Sequence, residues 1–333
     1  MRIYREKTEN NGKFNADILK IDCEIESLRI EQFIRKQVFE SFRKKGIVIG
    51  ISGGIDSAVV ATLAVRAIGA DNIFGLILPE KESNPISAEY ANLLIEKLGI
   101  RSKTVELTPM MENFGVYRKR ESIVRKHFSY YNNLWKYRLV MPQNLLDKDR
   151  FNVSVLEVQN PEGKISSKRL SSKDYLEMVA ATDVKQRMRM IMLYYFAEKY
   201  KYIVAGTTNF SEAIQGFFVK YGDGGVDTEP IAHLYKSQVY QLAEYMKVPQ
   251  KIINRAPSPD TYSFVVSDKE LYFSLPYDIL DLLLYAKQNN VQHDNIKTVL
   301  NLKDDQINRA FRDFYTKQKA TEHYRHTPVS LSF

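Results

Sequence analysis

The segment SGGIDS, residues 52–57, constrains the fold more than any other part of the sequence. It directly follows an apolar stretch, GIVIGI (46–51), and precedes a helix-like segment, VVATLAVRAI (59–68). A buried strand that ends in glycine and serine and then enters a helix leaves backbone N–H groups unpaired at the positive end of the helix dipole. The sequence therefore predicts an anion-binding loop between a strand and a helix.

The residue types in this loop suit a phosphate that is bound together with a metal ion. Gly53 and Gly54 let the main chain approach an anion closely. Ser52 and Ser57 carry hydroxyl groups that can donate hydrogen bonds to its oxygens. Asp56 would be repelled by a phosphate unless a divalent cation lay between them, so we predict that it binds Mg²⁺; the alternative is that it only caps the following helix. The loop lacks the lysine with which a G-x-x-x-x-G-K-[ST] loop reaches the outer phosphates of a nucleotide.

Apolar, β-branched stretches alternate with segments of helical period through the first half of the chain. Strands are predicted at 47–51, 72–79, 102–108 and 202–207. Helices are predicted at 24–45, 56–69, 86–98, 174–199, 234–247, 249–255 and 276–288. This alternation is typical of an α/β fold with a doubly wound parallel sheet of the Rossmann-like type.

The segment 110–173 interrupts the alternation with a polar, aromatic-rich stretch. A connection of this length is usually functional or forms a small subdomain, and residues 151–170 predict a hairpin around NPEG. We therefore expect four parts. They are the N-terminal helix with the first half of the nucleotide-binding core (1–109), an insertion subdomain (110–173), the second half of the core with metal and substrate loops (174–260), and a C-terminal helical region (261–333).

Composition excludes several classes of protein. The net charge is +8, and residues 111–175 hold 13 Lys or Arg against 7 Asp or Glu. This bias suits a polyanion surface or a solvated insertion; without a nucleic-acid-binding motif we favour the second and expect no nucleic-acid partner. The lone Cys23 cannot form an internal disulfide or a multi-thiolate zinc site. The polar N-terminus and the absence of an apolar run of about 18 residues predict a cytoplasmic protein without a membrane segment.

A second cluster of polar residues lies between positions 205 and 239. The predicted strand at 202–207 ends in Thr207, and Glu212 follows shortly after it. At the C-terminal edge of a parallel sheet, Glu212 could share a metal ion with Asp56. Lys236, at the start of the next predicted helix, could reach a phosphate as a mobile charge.

The loop SGGIDS resembles the pyrophosphate loop of the ATP-pyrophosphatase group, which cleaves ATP between its α and β phosphates and so needs no lysine at the γ-phosphate. Five further motifs are similar to those of the NAD synthase family within that group. They are DVKQRMRM (183–190), GTTNFSE (206–212), GFFVKYGDGG followed by PIAHLYKSQV (216–225 and 230–239), and PSPD (257–260). The resemblance covers residues 30–110 and 175–290.

The resemblance implies an ammonia-dependent NAD⁺ synthase that uses deamido-NAD, ammonia, ATP as co-substrate and Mg²⁺. ATP would be bound by Gly50, Ser52, Gly53, Gly54, Asp56, Ser57, Thr207, Lys236 and Ser258. The dinucleotide would be bound by Arg187, Arg189, Phe217, Lys220 and Asp223. Asp56 and Glu212 would hold the metal ion, and Asp56, Lys236 and Asp223 would take part in catalysis. The family also implies a homodimer.

Three departures from the family pattern keep other functions open. Gln186 and Asp183 replace an alanine and an asparagine of the family helix, and the loop 265–270 carries Val266 and Lys269 in place of polar and acidic residues. The insertion and the altered loop 265–270 support an alternative in which a related enzyme amidates a different carboxylate, for instance in a polysaccharide or secondary-metabolite pathway. An RNA-modifying adenylating enzyme and an inactive binding protein are weaker alternatives. We recognise no glutaminase segment, so ammonia would be free or supplied by a separate subunit.

Overall fold

The structure is a computed structural model that describes residues 14–143, 145–148 and 153–331. Its elements in chain order are α1 Cys23–Arg35, β1 Ile47–Gly50, α2 Ile55–Ile68, β2 Ile73–Ile77, α3 Pro85–Leu98, β3 Arg101–Thr104, α4 Thr108–Phe114, α5 Val116–His127, β4 Lys136–Val140, β5 Val155–Gln159, β6 Ile165–Arg169, α6 Ser172–Tyr200, β7 Ile203–Ala205, α7 Phe210–Gln215, α8 Lys236–Tyr245, α9 Gln250–Ile253, α10 Tyr277–Gln288, α11 His293–Leu300 and α12 Asp304–Ala320.

A four-stranded parallel sheet in the order β3-β2-β1-β7 forms the centre of the fold. Because side chains alternate across a strand, Ile47 and Ile49 of β1 pack against α1, α2 and α8, while Val48 packs on the other face against α6. The sheet is thus covered by helices on both faces. The predicted doubly wound α/β fold is confirmed.

The predicted strands and helices exist, but several are shorter than their sequence patterns. Regular pairing of the strand predicted at 102–108 ends at Thr104, although Leu107 N–H still donates to the Pro79 oxygen before α4 begins. The strand predicted at 202–207 ends at Ala205 because Gly206 N–H donates to the Thr228 oxygen instead of to β1. The helix predicted at 24–45 is an α-helix up to Arg35 and then a π-helical turn, Lys36–Ser41.

The insertion forms two helices, α4 and α5, and a three-stranded antiparallel sheet in the order β4-β5-β6. The predicted hairpin is present as β5 and β6, with Gly163 at φ +84° in its turn; residues 151 and 152 of the predicted segment lie outside the described residues. Strand β4 was not predicted, and it supplies Tyr137 and Leu139 to the apolar core between the sheet and α5.

Helices α10, α11 and α12 pack together around Leu280, Ile307 and Phe314, and α10 and α12 also contact α7. Pro249 and Pro276 directly precede α9 and α10, as their sequence positions predict. Helices α11 and α12 lie within the region 261–333 that was expected to be helical, but their individual bounds were not predicted. Among the described residues, none of the helices is both long and apolar enough to cross a bilayer.

Candidate active site

The loop between β1 and α2 is closed by its own hydroxyl groups. Ser57 Oγ donates to the Gly54 oxygen at 3.0 Å and lies 3.1 Å from Ser52 Oγ, which accepts from Gly54 N–H at 3.2 Å. Gly54 is the N-cap of α2 and makes no side-chain capping bond. The start of this helix therefore presents backbone N–H groups rather than a side chain, as an anion site requires.

Gly53 is the one position of the loop where only glycine fits. Its φ is +72°, and an added Cβ would lie 2.3 Å from the Ser87 backbone oxygen at the start of α3. Arg255 completes this contact, because it donates to the Gly53 oxygen at 3.3 Å and to Ser87 Oγ at 2.8 Å. The loop, α3 and the segment after α9 are thus held against one another.

Asp56, Glu212 and Lys236 meet at the C-terminal edge of the sheet. Lys236 Nζ donates to Asp56 Oδ2 at 2.5 Å and to Glu212 Oε1 at 3.3 Å. Asn209 Nδ2 donates to the other oxygen of Asp56 at 3.0 Å. Since Asp56 accepts from residues on other elements and does not cap α2, the structure favours the site interpretation over the capping alternative.

More negative than positive charge surrounds Lys236. Asp268 also interacts with Lys236, and its Oδ2 accepts from Tyr277 Oη at 3.0 Å. Burial alone would lower the pKa of Lys236, but Asp56, Glu212 and Asp268 raise it, so the lysine stays protonated. Burial raises the pKa of Glu212, against the attraction of Lys236, and burial likewise raises the pKa of Asp268. The single charge of Lys236 therefore does not balance all three carboxyl groups in their ionised forms, and an added cation would favour those forms.

A buried carboxylate aligns the helices that carry these groups. Asp281 of α10 accepts from Ser211 Oγ at 2.6 Å and from Ser237 N–H at 2.8 Å. Ser211 Oγ in turn accepts from Lys236 N–H at 3.2 Å. Asp281 thereby joins the first turn of α8 to α7, which explains how Lys236 and Glu212 keep their relative positions.

A cavity of about 770 Å³ extends from the glycine loop to the loop at 216–225. It brings together most of the predicted site residues, namely Gly50, Ser52, Gly54, Asp56, Ser57, Arg189, Thr207, Glu212, Phe217, Asp223, Lys236 and Ser258. Gly53, Arg187 and Lys220 do not line it. The predicted phosphate and substrate ends are therefore two parts of one space, as a reaction between two bound substrates requires.

Two predicted substrate residues are turned toward other parts of the protein. Lys220 Nζ donates to the His323 backbone oxygen at 2.9 Å, near the C-terminus. Arg187 Nε donates to the Lys220 oxygen at 3.4 Å. Arg187 also interacts with Asp183. Burial raises the pKa of Asp183 to about 6, and the positive charge of Arg187 limits that increase. In this structure both cations make contacts that hold the loop at 216–225 and do not line the cavity.

The remaining predicted residues at this end do face the cavity. Phe217 stacks on Tyr272 with ring centroids 4.9 Å apart. Asp223 is exposed, and its Oδ1 accepts from Val219 N–H at 2.8 Å. Arg189 Nε donates to the Leu78 oxygen at 3.4 Å. The arrangement presents a flat apolar surface beside one carboxylate and one guanidinium group.

Comparison with known proteins identifies the family. A family model described as NAD synthase matches residues 26–145 and 140–328. The chain belongs to the NAD synthase family. A relative from Mesorhizobium japonicum, named NH(3)-dependent NAD(+) synthetase, is 43% identical over 315 residues, which cover 95% of this chain and 98% of the relative. A protein of the same name from Thermotoga maritima is 39% identical over 265 residues, covering 78% of this chain and 85% of the relative.

Solved structures show the same fold. An NMN synthetase from Francisella tularensis has a TM-score of 0.64 and 24% identity and covers 94% of this chain and 100% of its own. An NH3-dependent NAD synthetase from Campylobacter jejuni has a TM-score of 0.61 and 23% identity with the same coverage. At these identities the likeness concerns the fold alone. The resemblance to the NAD synthase family is confirmed, and the match extends over the insertion, which the motifs had not included.

Sequence reasoning missed several site residues of this NAD synthase family member. Asp268 lies inside the loop 265–270 that had stood out only for its departures from the family pattern. No periodic pattern in the sequence places Asp268 near Lys236. The wall formed by Leu139, Met141 and Ser154 of the insertion was also missed, because contacts between distant segments leave no local pattern.

Gly53→Ala should destabilise the protein and weaken nucleotide binding. A residue with a side chain at positive φ lowers the free energy of unfolding by about 1–2 kcal/mol. At Gly53, the close contact of the added Cβ with the Ser87 oxygen would lower it further. Gly99→Ala is the matched control, because Gly99 has φ +63° with nothing within 4 Å of an added Cβ. Urea unfolding and calorimetric titration with ATP measure the two effects. Equal losses of stability in both variants, with unchanged ATP affinity, would contradict the close approach at Gly53.

Proposed function

We propose that the protein is an ammonia-dependent NAD⁺ synthase, which converts deamido-NAD, ATP and ammonia to NAD⁺, AMP and pyrophosphate through an adenylate. Membership of the NAD synthase family and the names of its relatives support this proposal. The observation that carries it is that the glycine loop, Asp56, Glu212 and Lys236 share one cavity with the loop at 216–225. One space thus holds the features needed to bind a polyphosphate and to bind the carboxylate that it activates.

The glycine loop would hold the β- and γ-phosphates, which leave together as pyrophosphate. The uncapped start of α2 offers N–H groups, and Ser52 and Ser57 offer hydroxyls. Lys236, which stays protonated, would donate to the departing pyrophosphate. Thr207 and Ser258, which line the same part of the cavity, would contact ATP. Gly50 would let the nucleotide lie close to the end of β1.

The residues at the glycine-loop end of the cavity fit a magnesium ion. Carboxylates exceed cations around Lys236, and carboxylate oxygens are the ligands that Mg²⁺ prefers. No three carboxylate, imidazole or thiol groups of the described residues form a complete metal cage. Asp56 and Glu212 would therefore supply two ligands, with phosphates and water as the others, as is common for Mg²⁺. The ion would neutralise charge that builds up on the leaving pyrophosphate.

The chemistry needs two displacements. A carboxylate oxygen of deamido-NAD attacks the α-phosphorus of ATP. The bond between the α-phosphorus and the oxygen that bridges the α and β phosphates breaks, and pyrophosphate leaves with the electron pair. Ammonia then attacks the acyl carbon, AMP leaves, and one proton is released. Asp223 and Phe217 line the cavity; Asp223 would accept that proton, and Phe217 would contact the pyridine ring. Exclusion of water matters because water would hydrolyse the adenylate.

A related enzyme that amidates a different carboxylate is the second candidate. The insertion contributes Leu139, Met141 and Ser154 to the cavity wall, and Asp183 stands in the cavity where the family pattern has asparagine. These side chains could select a carboxylate on another carrier. The phosphate end of the site would be unchanged.

We also propose that the protein forms a homodimer. Helix α6 exposes Leu176, Ile191 and Tyr195, with the last two one turn apart. Large exposed apolar residues on one helix are typical of a surface that is covered in the assembly. An ammonia-supplying glutaminase subunit and the cytoplasmic location remain predictions.

Purified protein with Mg-ATP, ammonium and deamido-NAD should yield AMP, pyrophosphate and NAD⁺ in equal amounts. Glutamine in place of ammonium should give no NAD⁺ without a separate glutaminase. Chromatography of the nucleotides with a coupled pyrophosphate assay measures all three products. ADP and phosphate as products would overturn the proposal, while AMP release driven by another carboxylate would favour the second candidate.

Asp56→Asn should lower kcat/KM by about 100-fold or more, because it removes one charged ligand of the metal ion that would neutralise the leaving pyrophosphate. The fold should persist, since Glu212 and Asp268 still balance Lys236. Glu89→Gln is the control: Glu89 is an exposed carboxylate on α3 that does not line the cavity. Rates are measured over a Mg²⁺ titration. An unchanged Mg²⁺ dependence in Asp56→Asn would exclude its role as a ligand.

Ile191→Glu should convert the dimer to a monomer, because it places a charge in the apolar patch of α6. Ile86→Glu, at an exposed apolar position on α3, is the control and should leave the assembly unchanged. Sedimentation velocity distinguishes the two states. A monomeric unmodified protein at micromolar concentration would refute the proposed dimer.

A further inference from the structure

Two glutamates of the segment between β2 and α3 turn away from solvent. Glu80 is 3% exposed and lines the cavity, and the Glu82 side chain is 7% exposed. A buried carboxylate is costly unless it is paired and hydrogen-bonded. The segment can therefore adopt this path only if other elements supply the partners.

A lysine of α6 and an arginine of the insertion supply the positive charges. Lys185 Nζ donates to Glu80 Oε1 at 2.8 Å and to Glu82 Oε2 at 2.5 Å. Arg120, which is completely buried in α5, donates to the same Glu82 oxygen at 2.6 Å. Burial raises the pKa of Glu82, but Arg120 and Lys185 outweigh it and hold that pKa below its usual value.

Two tyrosines of the insertion complete the hydrogen bonds of these carboxylates. Tyr137 Oη of β4 donates to Glu82 Oε1 at 3.0 Å, and Tyr117 Oη of α5 donates to Glu80 Oε2 at 2.6 Å. The Arg120 guanidinium lies 5.0 Å from the centre of the Tyr137 ring. Each oxygen of both glutamates thus has a partner, and three of the four partner side chains belong to the insertion.

The same cations hold a second segment that borders the cavity. Lys185 and Arg120 both donate to the Thr261 backbone oxygen, at 2.9 and 3.0 Å. The adjacent Asp260 accepts from Asn84 N–H at 2.8 Å and from Ser87 Oγ at 2.7 Å. Ser87 also accepts from Arg255, which contacts the glycine loop. The segments 78–87 and 255–262 and the glycine loop are therefore linked through one chain of polar contacts.

We propose that the insertion at 110–173 positions the nucleotide end of the active site, with Arg120 and Tyr137 as positioning residues that act through Glu82. The proposal rests on the proposed function, because the positioned ligand is ATP. A buried ionic network seldom stabilises a fold more than apolar packing would, so its effect here is to give two otherwise irregular segments one conformation. Neither Arg120 nor Tyr137 lines the cavity, so both act indirectly.

Tyr137→Phe tests the proposal with the least disturbance, because it removes one hydroxyl and keeps the ring. We expect KM and Kd for ATP to rise about tenfold, the loss typical of a hydrogen bond to a buried charge, while kcat and KM for deamido-NAD change less than about threefold. Tyr131→Phe is the matched control: Tyr131 lies in the same apolar cluster, 6.0 Å from the Tyr137 ring, and among the described contacts its hydroxyl makes no hydrogen bond to Glu82. It should leave every constant unchanged.

A double-mutant cycle with Glu82→Gln shows whether Tyr137 acts through Glu82. The double variant should bind ATP no more weakly than Glu82→Gln alone, because the two changes break one contact. Additive effects, an unchanged Kd for ATP in folded Tyr137→Phe, or equal changes in all constants would overturn the positioning role. Calorimetry measures Kd without turnover, so a protein that binds ATP normally but does not amidate deamido-NAD would refute the proposed function and leave this proposal standing.

Discussion

The contact of Lys236 with Asp56 and Glu212 is the interaction on which the site depends. Lys236 is almost fully buried, and its ammonium group has to be balanced within hydrogen-bond distance. The balancing carboxylates come from the starts of α2 and α7, so the first turns of three helices converge at the end of β1 and β7. Asp268 adds a further negative charge, which leaves the group short of positive charge. Under the proposed function, a metal ion would offset that deficit and link these carboxylates to the phosphates of the nucleotide.

Buried charges also need partners at a second place, where the insertion contacts the segment between β2 and α3. Glu80 and Glu82 are buried, so the elements that supply their partners have to keep a definite position relative to the segment that carries them. In this chain most of those partners are on α5 and β4. An apolar core links these two elements, which explains how side chains outside the cavity hold a wall of the cavity in place.

Much of the fold could be predicted because its causes are local. The alternation of apolar strands with helices of regular period indicated the parallel sheet, and the glycine loop indicated where an anion binds. Prediction was weaker where a residue's partner is distant in sequence. Lys220 was expected at the substrate, but its ammonium donates to the His323 oxygen more than 100 positions away. Arg187 likewise donates to the backbone oxygen of Lys220. The bounds of α11 and α12 were not predicted, because no motif indicates where these two helices begin and end.

By itself, the sequence determined the fold class and the family, because both follow from local patterns of residue type and spacing. It also predicted which groups would act on phosphate, from the serine, glycine and aspartate residues of SGGIDS. Only the tertiary structure decided which groups meet. It placed Lys236 between Asp56 and Glu212, brought Asp268 beside them, and enclosed Glu82 with residues of the insertion. The physical reason is that charge balance in a buried site is set by distances between segments, and those distances exist only after the sheet and its helices have packed.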